Sequence, residues 1–191
     1  MIPRLVIASK NNDKIAEIEA VLTGAGLADS VVRGLDWPEV EETGETLEEN
    51  ALLKARTVAR ATGLPALGDD TGLEVAALGG RPGVHTARYA GPTATYEENY
   101  TKLLGELNGV EDRQAWFRTV VALVFPDGSE VVASGQIDGQ IAREPRGESG
   151  FGYDPVFEVD GRTFSEMPDG EKNAMSHRAR ALRALLAESG L

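Results

Sequence analysis

Apolar positions recur along this chain with two different rhythms. Leu5-Val-Ile-Ala8 is an unbroken apolar run, so Arg4 to Ala8 predicts a buried strand. It leads into Ser9-Lys10-Asn11-Asn12-Asp13-Lys14, after which Ile15, Ile18 and Leu22 repeat at helical spacing until Thr23-Gly24. Thr46-Leu-Glu-Glu49 has the form of a capping box and predicts a helix ending near Gly63, before Pro65. Leu64 to Val75 predicts strand interrupted by a turn, because Gly68-Asp69-Asp70-Thr71-Gly72 is made of the commonest turn formers. Gly79-Gly80-Arg81-Pro82-Gly83 predicts a loop.

Thr95-Tyr-Glu-Glu98 is a second capping box, and its helix carries Tyr96, Tyr100, Leu103 and Leu107 toward a core. Ala115 to Phe125 and Glu130 to Ile137 flank Pro126-Asp-Gly-Ser129, which predicts a hairpin. Val156 to Val159 is a further short strand. Asn173 to Glu188 is a closing helix with Met175, Ala179, Leu182 and Leu186 inward. Alternating strands and helices followed by a late hairpin predict a mixed sheet with flanking helices, an α/β or α+β protein. No repeat or linker interrupts residues 1–191, so one domain is expected.

Composition narrows the chemistry. The 191 residues hold no cysteine, which removes disulfides, thiolate metal sites and cysteine nucleophiles. His85 and His177 are the two histidines, too few for a multi-histidine zinc site. A formal net charge of −12 disfavours DNA, RNA and anionic membrane as partners, leaving small ligands whose charge a metal or a local basic cluster can screen. The first apolar run is too short for a signal peptide or a membrane span, so a cytoplasmic location is the expectation.

Against that background the polar segments stand out. Adjacent Asp69 and Asp70 repel each other, and a hard divalent cation such as Mg²⁺ relieves the repulsion. Glu41 or Glu42 offers a second carboxylate to the same ion, and Lys54 either faces phosphate or is solvated. Ser9 to Lys14 places neutral donors and two lysines at a helix start, where phosphate is attracted, although a plain capped helix has the same pattern. Phe151-Gly-Tyr-Asp-Pro155 presents an aromatic between glycines, fit either for a flat ring or for plugging a strand start. Lys172 and Ser176-His177-Arg178 lie at the last helix, where His177 and Arg178 add donors that its apolar stripe does not need.

Taken in order, Ser9-Lys-Asn-Asn-Asp-Lys14, Glu42-Thr-Gly44, Asn50-Ala-Leu-Leu-Lys-Ala55, Asp69-Asp-Thr-Gly-Leu73, Gly83 to Tyr89, Phe151-Gly-Tyr-Asp-Pro-Val-Phe157 and Ser176-His-Arg178 resemble the Ham1/RdgB family. These are inosine/xanthosine triphosphate pyrophosphatases, and the resemblance runs from about Leu5 to Leu186. It implies a homodimeric, Mg²⁺-dependent enzyme of the ITPase-like (Maf/Ham1) fold, with a long twisted mixed sheet and two lobes around a central cleft. It further implies cleavage of ITP, dITP and XTP to the monophosphate and pyrophosphate.

By motif, Asp70 is implied as proton acceptor and metal contact, and Glu42 as the other metal carboxylate, with Glu41 adjacent. Ser9, Lys10, Asn11, Asn12, Asp13, Lys14, Lys54, Thr71, Phe151, Gly152, Tyr153, Asp154, Lys172, His177 and Arg178 are implied as substrate contacts. Lys10 stands where many relatives have glycine, and His85 where many have an aromatic. A Maf-type enzyme acting on other modified nucleotides would share this metal chemistry, and a non-catalytic nucleotide sensor would share the binding residues.

Overall fold

In the computed structural model, which describes residues 2–25 and 28–189, the first apolar run pairs as a strand over Val6–Ile7 only (β1). It is parallel to the next strand, with the N–H groups of Val6 and Ala8 donating to the carbonyls of Pro65 and Leu67. The first helix, Asn12–Ala25 (α1), runs slightly beyond the predicted Thr23-Gly24 stop. Its start is capped by Asn11, whose Oδ1 accepts from the N–H groups of Asp13 and Lys14 at 2.9 and 3.3 Å. Both capping boxes form as expected. Thr46 and Glu49 open Leu47–Thr62 (α2), which closes at Gly63, and Thr95 and Glu98 open Tyr96–Glu106 (α3).

The acidic turn does not exist. Ala66–Val75 (β2) is one continuous strand through Gly68, Asp69, Asp70, Thr71 and Gly72. Local composition favours a turn there, but each carboxylate has basic partners supplied by distant parts of the chain, so a straight strand buries both without a bare charge. Successive strand residues face opposite sides, which sends Asp69 and Asp70 to different partners. The predicted glycine loop also contains a short strand, Pro82–Gly83 (β3), antiparallel to β2.

The hairpin is longer than expected, with Gln114–Val124 (β4) and Glu130–Ile141 (β5) joined where the Phe125 N–H donates to the Ser129 carbonyl. Phe157–Val159 (β6) and Arg162–Thr163 (β7) follow. The sheet order is β1-β2-β4-β5-β6-β7, with β3 beside β2, and its parallel and antiparallel pairs make it mixed. The predicted closing helix is two helices, Asp169–Met175 (α4) and His177–Ser189 (α5), broken where Ser176 takes an extended backbone with ψ 156°. The break suits two different cores, because Met175 packs against the one that holds Phe117, Phe157 and Phe164 while Leu182 and Leu185 lie in the one that holds Ile18 and Leu22 of α1.

The chain divides into two compact units. The first comprises the residues up to Asp70, Thr119–Gly135 and the chain from His177 onward, and the second Thr71–Arg118 with Gln136–Ser176. In the first unit Leu5, Ile7, Ile18, Leu22, Leu67 and Leu182 form the core, with α1 against α5. In the second, Phe117, Phe157 and Phe164 pack with centroids 4.7–6.4 Å apart, joined by Leu103 and Leu107. Each fully buried aromatic of this kind contributes roughly 1.5–3 kcal/mol. Tyr96, expected in that core, is 43% exposed instead, because the first turn of α3 leaves it at the surface beside Phe151. Among the described residues no helix is long and apolar enough to cross a membrane.

Candidate functional site

The first unit builds a charged cluster around the early residues of β2. Gly68 sets its geometry: a Cβ there would lie 2.3 Å from the Ala51 carbonyl oxygen and 2.9 Å from the Ala55 N, so α2 rests directly on the strand. Gly135 does the same for α5, where a Cβ would lie 2.3 Å from the Ala181 N. Asp70, two residues beyond Gly68, faces α2. There Lys54 Nζ donates to Asp70 Oδ1 at 3.3 Å and to Glu42 Oε1 at 2.7 Å, and Asn50 Nδ2 donates to Asp70 Oδ2 at 3.1 Å. Lys54 is buried between these two carboxylates, so it is not a solvated surface lysine.

Asp69 faces the other side, with Leu67. Lys14 Nζ lies 3.2 Å from its Oδ2 and Arg178 Nε 3.4 Å from the same oxygen, while Arg178 also pairs with Glu17. Thus Lys14 from α1 and Arg178 from the start of α5 arrive at one strand, and His177 and Arg178 are buried rather than exposed.

These surroundings move the two neighbouring carboxyls in opposite directions. Burial raises Asp70 above the ordinary carboxylate range, the Lys54 and Lys14 ammonium groups oppose that only in part, and Glu42 adds to it. Burial would raise Asp69 as well, but Lys14, Arg178 and Lys54 together hold it well below the usual range. Lys54 is depressed by its own burial, yet Asp70, Asp69 and Glu42 prevail and its ammonium form is favoured. One strand therefore carries a firmly ionised carboxylate next to one whose proton affinity is increased.

Among the described residues, no three His, Asp or Glu side chains gather as a ready-made metal cage. Two carboxylates do converge, since Glu42 and Asp70 share the Lys54 ammonium. In the pairs just described, Glu17, Glu42, Asp69 and Asp70 face Lys14, Lys54 and Arg178, one negative charge in excess. Glu42 reaches Lys54, whereas Glu41 is exposed.

Of the first loop, Ser9 Oγ accepts from the Asn11 N–H at 3.1 Å, and Asn11 serves α1 as its cap. Lys10, Asn12 and Asp13 are exposed. Ser9, Lys10 and Asn12 border a cavity of about 350 Å³ that is also lined by Ile7, Val31 and Trp37.

The second unit gathers its expected residues separately. Asp154 is buried, and its Oδ2 accepts from the Phe151 N–H at 2.8 Å and from Lys172 Nζ at 2.5 Å. Lys172 Nζ lies 4.8 Å from the centroid of the half-buried Phe151 ring. Gly152 has positive φ in the same turn. Tyr153 packs in the core and its hydroxyl donates to the Thr86 carbonyl; burial raises it far above the usual phenol range. Thr71, inside β2 and the first residue of the second unit, is half-buried.

Sequence reasoning missed Asn50 as a site residue, though its spacing of four from Lys54 on a helix was visible. It also missed Glu17 and Asp69 as holders of Arg178, for which no local signal exists across the 109 residues that separate Asp69 from Arg178.

The fold and its clustered side chains define a mixed α/β protein that concentrates carboxylates and basic groups at one strand. Over residues 5–188 the chain matches the Ham1 family, and it belongs to that family. It is 51% identical over 187 residues to the dITP/XTP pyrophosphatase of Geobacter sulfurreducens, covering 95% of this chain and 94% of the relative. It is 46% identical to the Bacillus licheniformis protein of the same name, covering 96% of each. Among solved structures, a HAM1 protein from Coxiella burnetii superposes with a TM-score of 0.84 at 42% identity, covering 99% of both chains. The Staphylococcus aureus Ham1 protein does so with 0.83 at 38% identity, covering 98% of both.

Proposed function

We propose that the protein hydrolyses the non-standard purine nucleotides ITP, dITP and XTP to the nucleoside monophosphate and pyrophosphate, clearing them from the nucleotide pool. The observation that carries this reading is the meeting of Asp70 and Glu42 at Lys54, in a chain about half identical to dITP/XTP pyrophosphatases over nearly its whole length.

Release of pyrophosphate requires attack at the α-phosphorus. Asp70, which meets Glu42 at Lys54, is the carboxylate suited by the family motif to accept the proton of the attacking water. Glu42 and Asp70 would hold Mg²⁺, an ion that takes one or two protein carboxylates and keeps several waters. When bound, that ion screens the triphosphate and polarises a phosphoryl oxygen. Lys54, beside Glu42 and Asp70, and Lys14, beside Asp69, would stabilise negative charge developing on the leaving pyrophosphate. Asp69 holds Lys14 and Arg178 in place rather than accepting a proton, since it stays ionised.

Ser9 to Lys14, Thr71, Phe151 to Asp154, Lys172, His177 and Arg178 remain substrate contacts in this reading, on the strength of the family motifs. Donors such as His177 and Arg178 suit the 6-keto oxygen of hypoxanthine and xanthine, and adenine would leave them unpaired. The resemblance also supports a homodimer, and the net charge of −12 supports a small nucleotide rather than a polymer. A cytoplasmic location accords with a soluble nucleotide substrate.

Pyrophosphate release measured over ITP, XTP, dITP, GTP, ATP and dUTP tests the reading. Hydrolysis of ITP, dITP and XTP well above ATP is expected. A preference for dUTP would point to a Maf-like specificity, and tight ITP binding without release would make the protein a sensor.

A further inference from the structure

Asn50 has no part in the chemistry above, yet it is fully buried and its amide is engaged at both ends. Its Oδ1 accepts from the Gly44 N–H at 2.8 Å, while its Nδ2 donates to Asp70 Oδ2 at 3.1 Å and reaches the Gly44 carbonyl at 3.5 Å. A backbone N–H can only donate, so it orients the amide with oxygen toward Gly44 and nitrogen toward Asp70. Asn50 and Lys54, one helical turn apart on α2, thus take one oxygen each of the same carboxylate. The same two side chains also hold the loop before α2, Lys54 at Glu42 and Asn50 at Gly44. Packing alone does not call for this residue, because a buried amide is unfavourable unless both ends are satisfied and an apolar side chain would fill the space.

We propose that Asn50 is a positioning residue, which fixes the orientation of the Asp70 carboxylate and holds Glu42 at a set distance from it by tying both segments to one amide. The proposal rests on reading Asp70 as the proton acceptor and Asp70 with Glu42 as the carboxylates for Mg²⁺. The close seat of α2 on Gly68 supports it, since it leaves the helix little freedom to shift along β2.

The test compares the intact protein with Asn50→Ala, which removes both tethers, and Asn50→Asp, which keeps an acceptor for Gly44 but loses the donor to Asp70. Three quantities are measured: thermal unfolding without metal, Mn²⁺ binding by electron paramagnetic resonance without nucleotide, and kcat and KM for ITP with Mg²⁺. Both variants are expected to lose kcat by about ten- to hundredfold, the usual effect of removing a residue that orients a metal-site ligand. KM for ITP should stay within roughly threefold, because the tethers act on the reacting end only. Asn50→Ala should also bind Mn²⁺ about tenfold more weakly.

Wild-type kcat and wild-type Mn²⁺ affinity in Asn50→Ala would overturn the proposal. So would a lowered unfolding temperature with kcat per folded molecule unchanged, the signature of a purely structural asparagine. Should Asn50→Ala not fold, the kcat of Asn50→Asp decides. Failure of the underlying reading is seen separately, as retained turnover in Asp70→Asn, and the Mn²⁺ measurement needs no substrate and stands apart from it.

Discussion

Changing Asp70 to Asn exchanges one carboxylate oxygen for an amide nitrogen and removes one buried negative charge. Lys54 Nζ lies 3.3 Å from Oδ1, a gross attraction of roughly 5 kcal/mol at an effective dielectric constant of about 20. Against it stand the desolvation of the carboxylate, several kcal/mol for a buried ion, and the nearby Glu42. Burial prevails, since the Asp70 carboxyl lies above the ordinary range, so a neutral group is the better tenant of this position.

The sign of the pH dependence follows. The folded value lies above the unfolded one of about 3.9, so the Asp70 contribution to stability is fully present below about pH 4 and is lost as pH rises through the folded value. Each unit of that displacement corresponds to about 1.4 kcal/mol. In EDTA-containing buffer, the unfolding temperature of Asp70→Asn should therefore climb relative to wild type as pH rises from about 4, then level off. Pyrophosphate release from ITP at saturating Mg²⁺ should fall by ~10²–10⁴ in the same variant, with loss of the metal contact adding to this. Near wild-type turnover would refute the role of Asp70, and a stability difference that shrinks with rising pH would refute the electrostatic reasoning.

Asp69→Asn should behave oppositely, destabilising the fold by about 3–5 kcal/mol at neutral pH because Lys14 and Arg178 lose a buried partner. The difference should close as pH falls below about 4, where the wild-type carboxylate also protonates in the unfolded chain, and a gap in urea unfolding that persists at low pH would count against it. Glu42→Gln should raise the Mg²⁺ concentration needed for half-maximal rate while Glu41→Gln leaves it unchanged; equal behaviour of the two would remove Glu42 from the metal. Arg178→Ala should lower the unfolding temperature by freeing Asp69 and Glu17, and should reduce kcat/KM for ITP about ten- to hundredfold more than for ATP. Parallel losses for the two nucleotides would assign Arg178 to the phosphates, which both carry.

By itself the sequence determined the features that depend on neighbours. Thr46 with Glu49 and Thr95 with Glu98 open helices because a capping box is complete within four residues. Pro126-Asp-Gly-Ser129 closes a hairpin for the same local reason, and the ordered motifs identify the family. Tertiary structure alone decided where local preference and burial compete. Asp69-Asp70 becomes strand rather than turn because Lys14, Lys54 and Arg178, remote in sequence, neutralise both carboxylates on opposite faces. The closing helix breaks at Ser176 so that its two halves serve different cores, and Tyr96 leaves the core that Leu103 and Leu107 enter. It also placed Glu42, not Glu41, against Lys54 and brought Asn50 to Asp70. Both are questions of distance across the chain, which a helical or strand period does not encode.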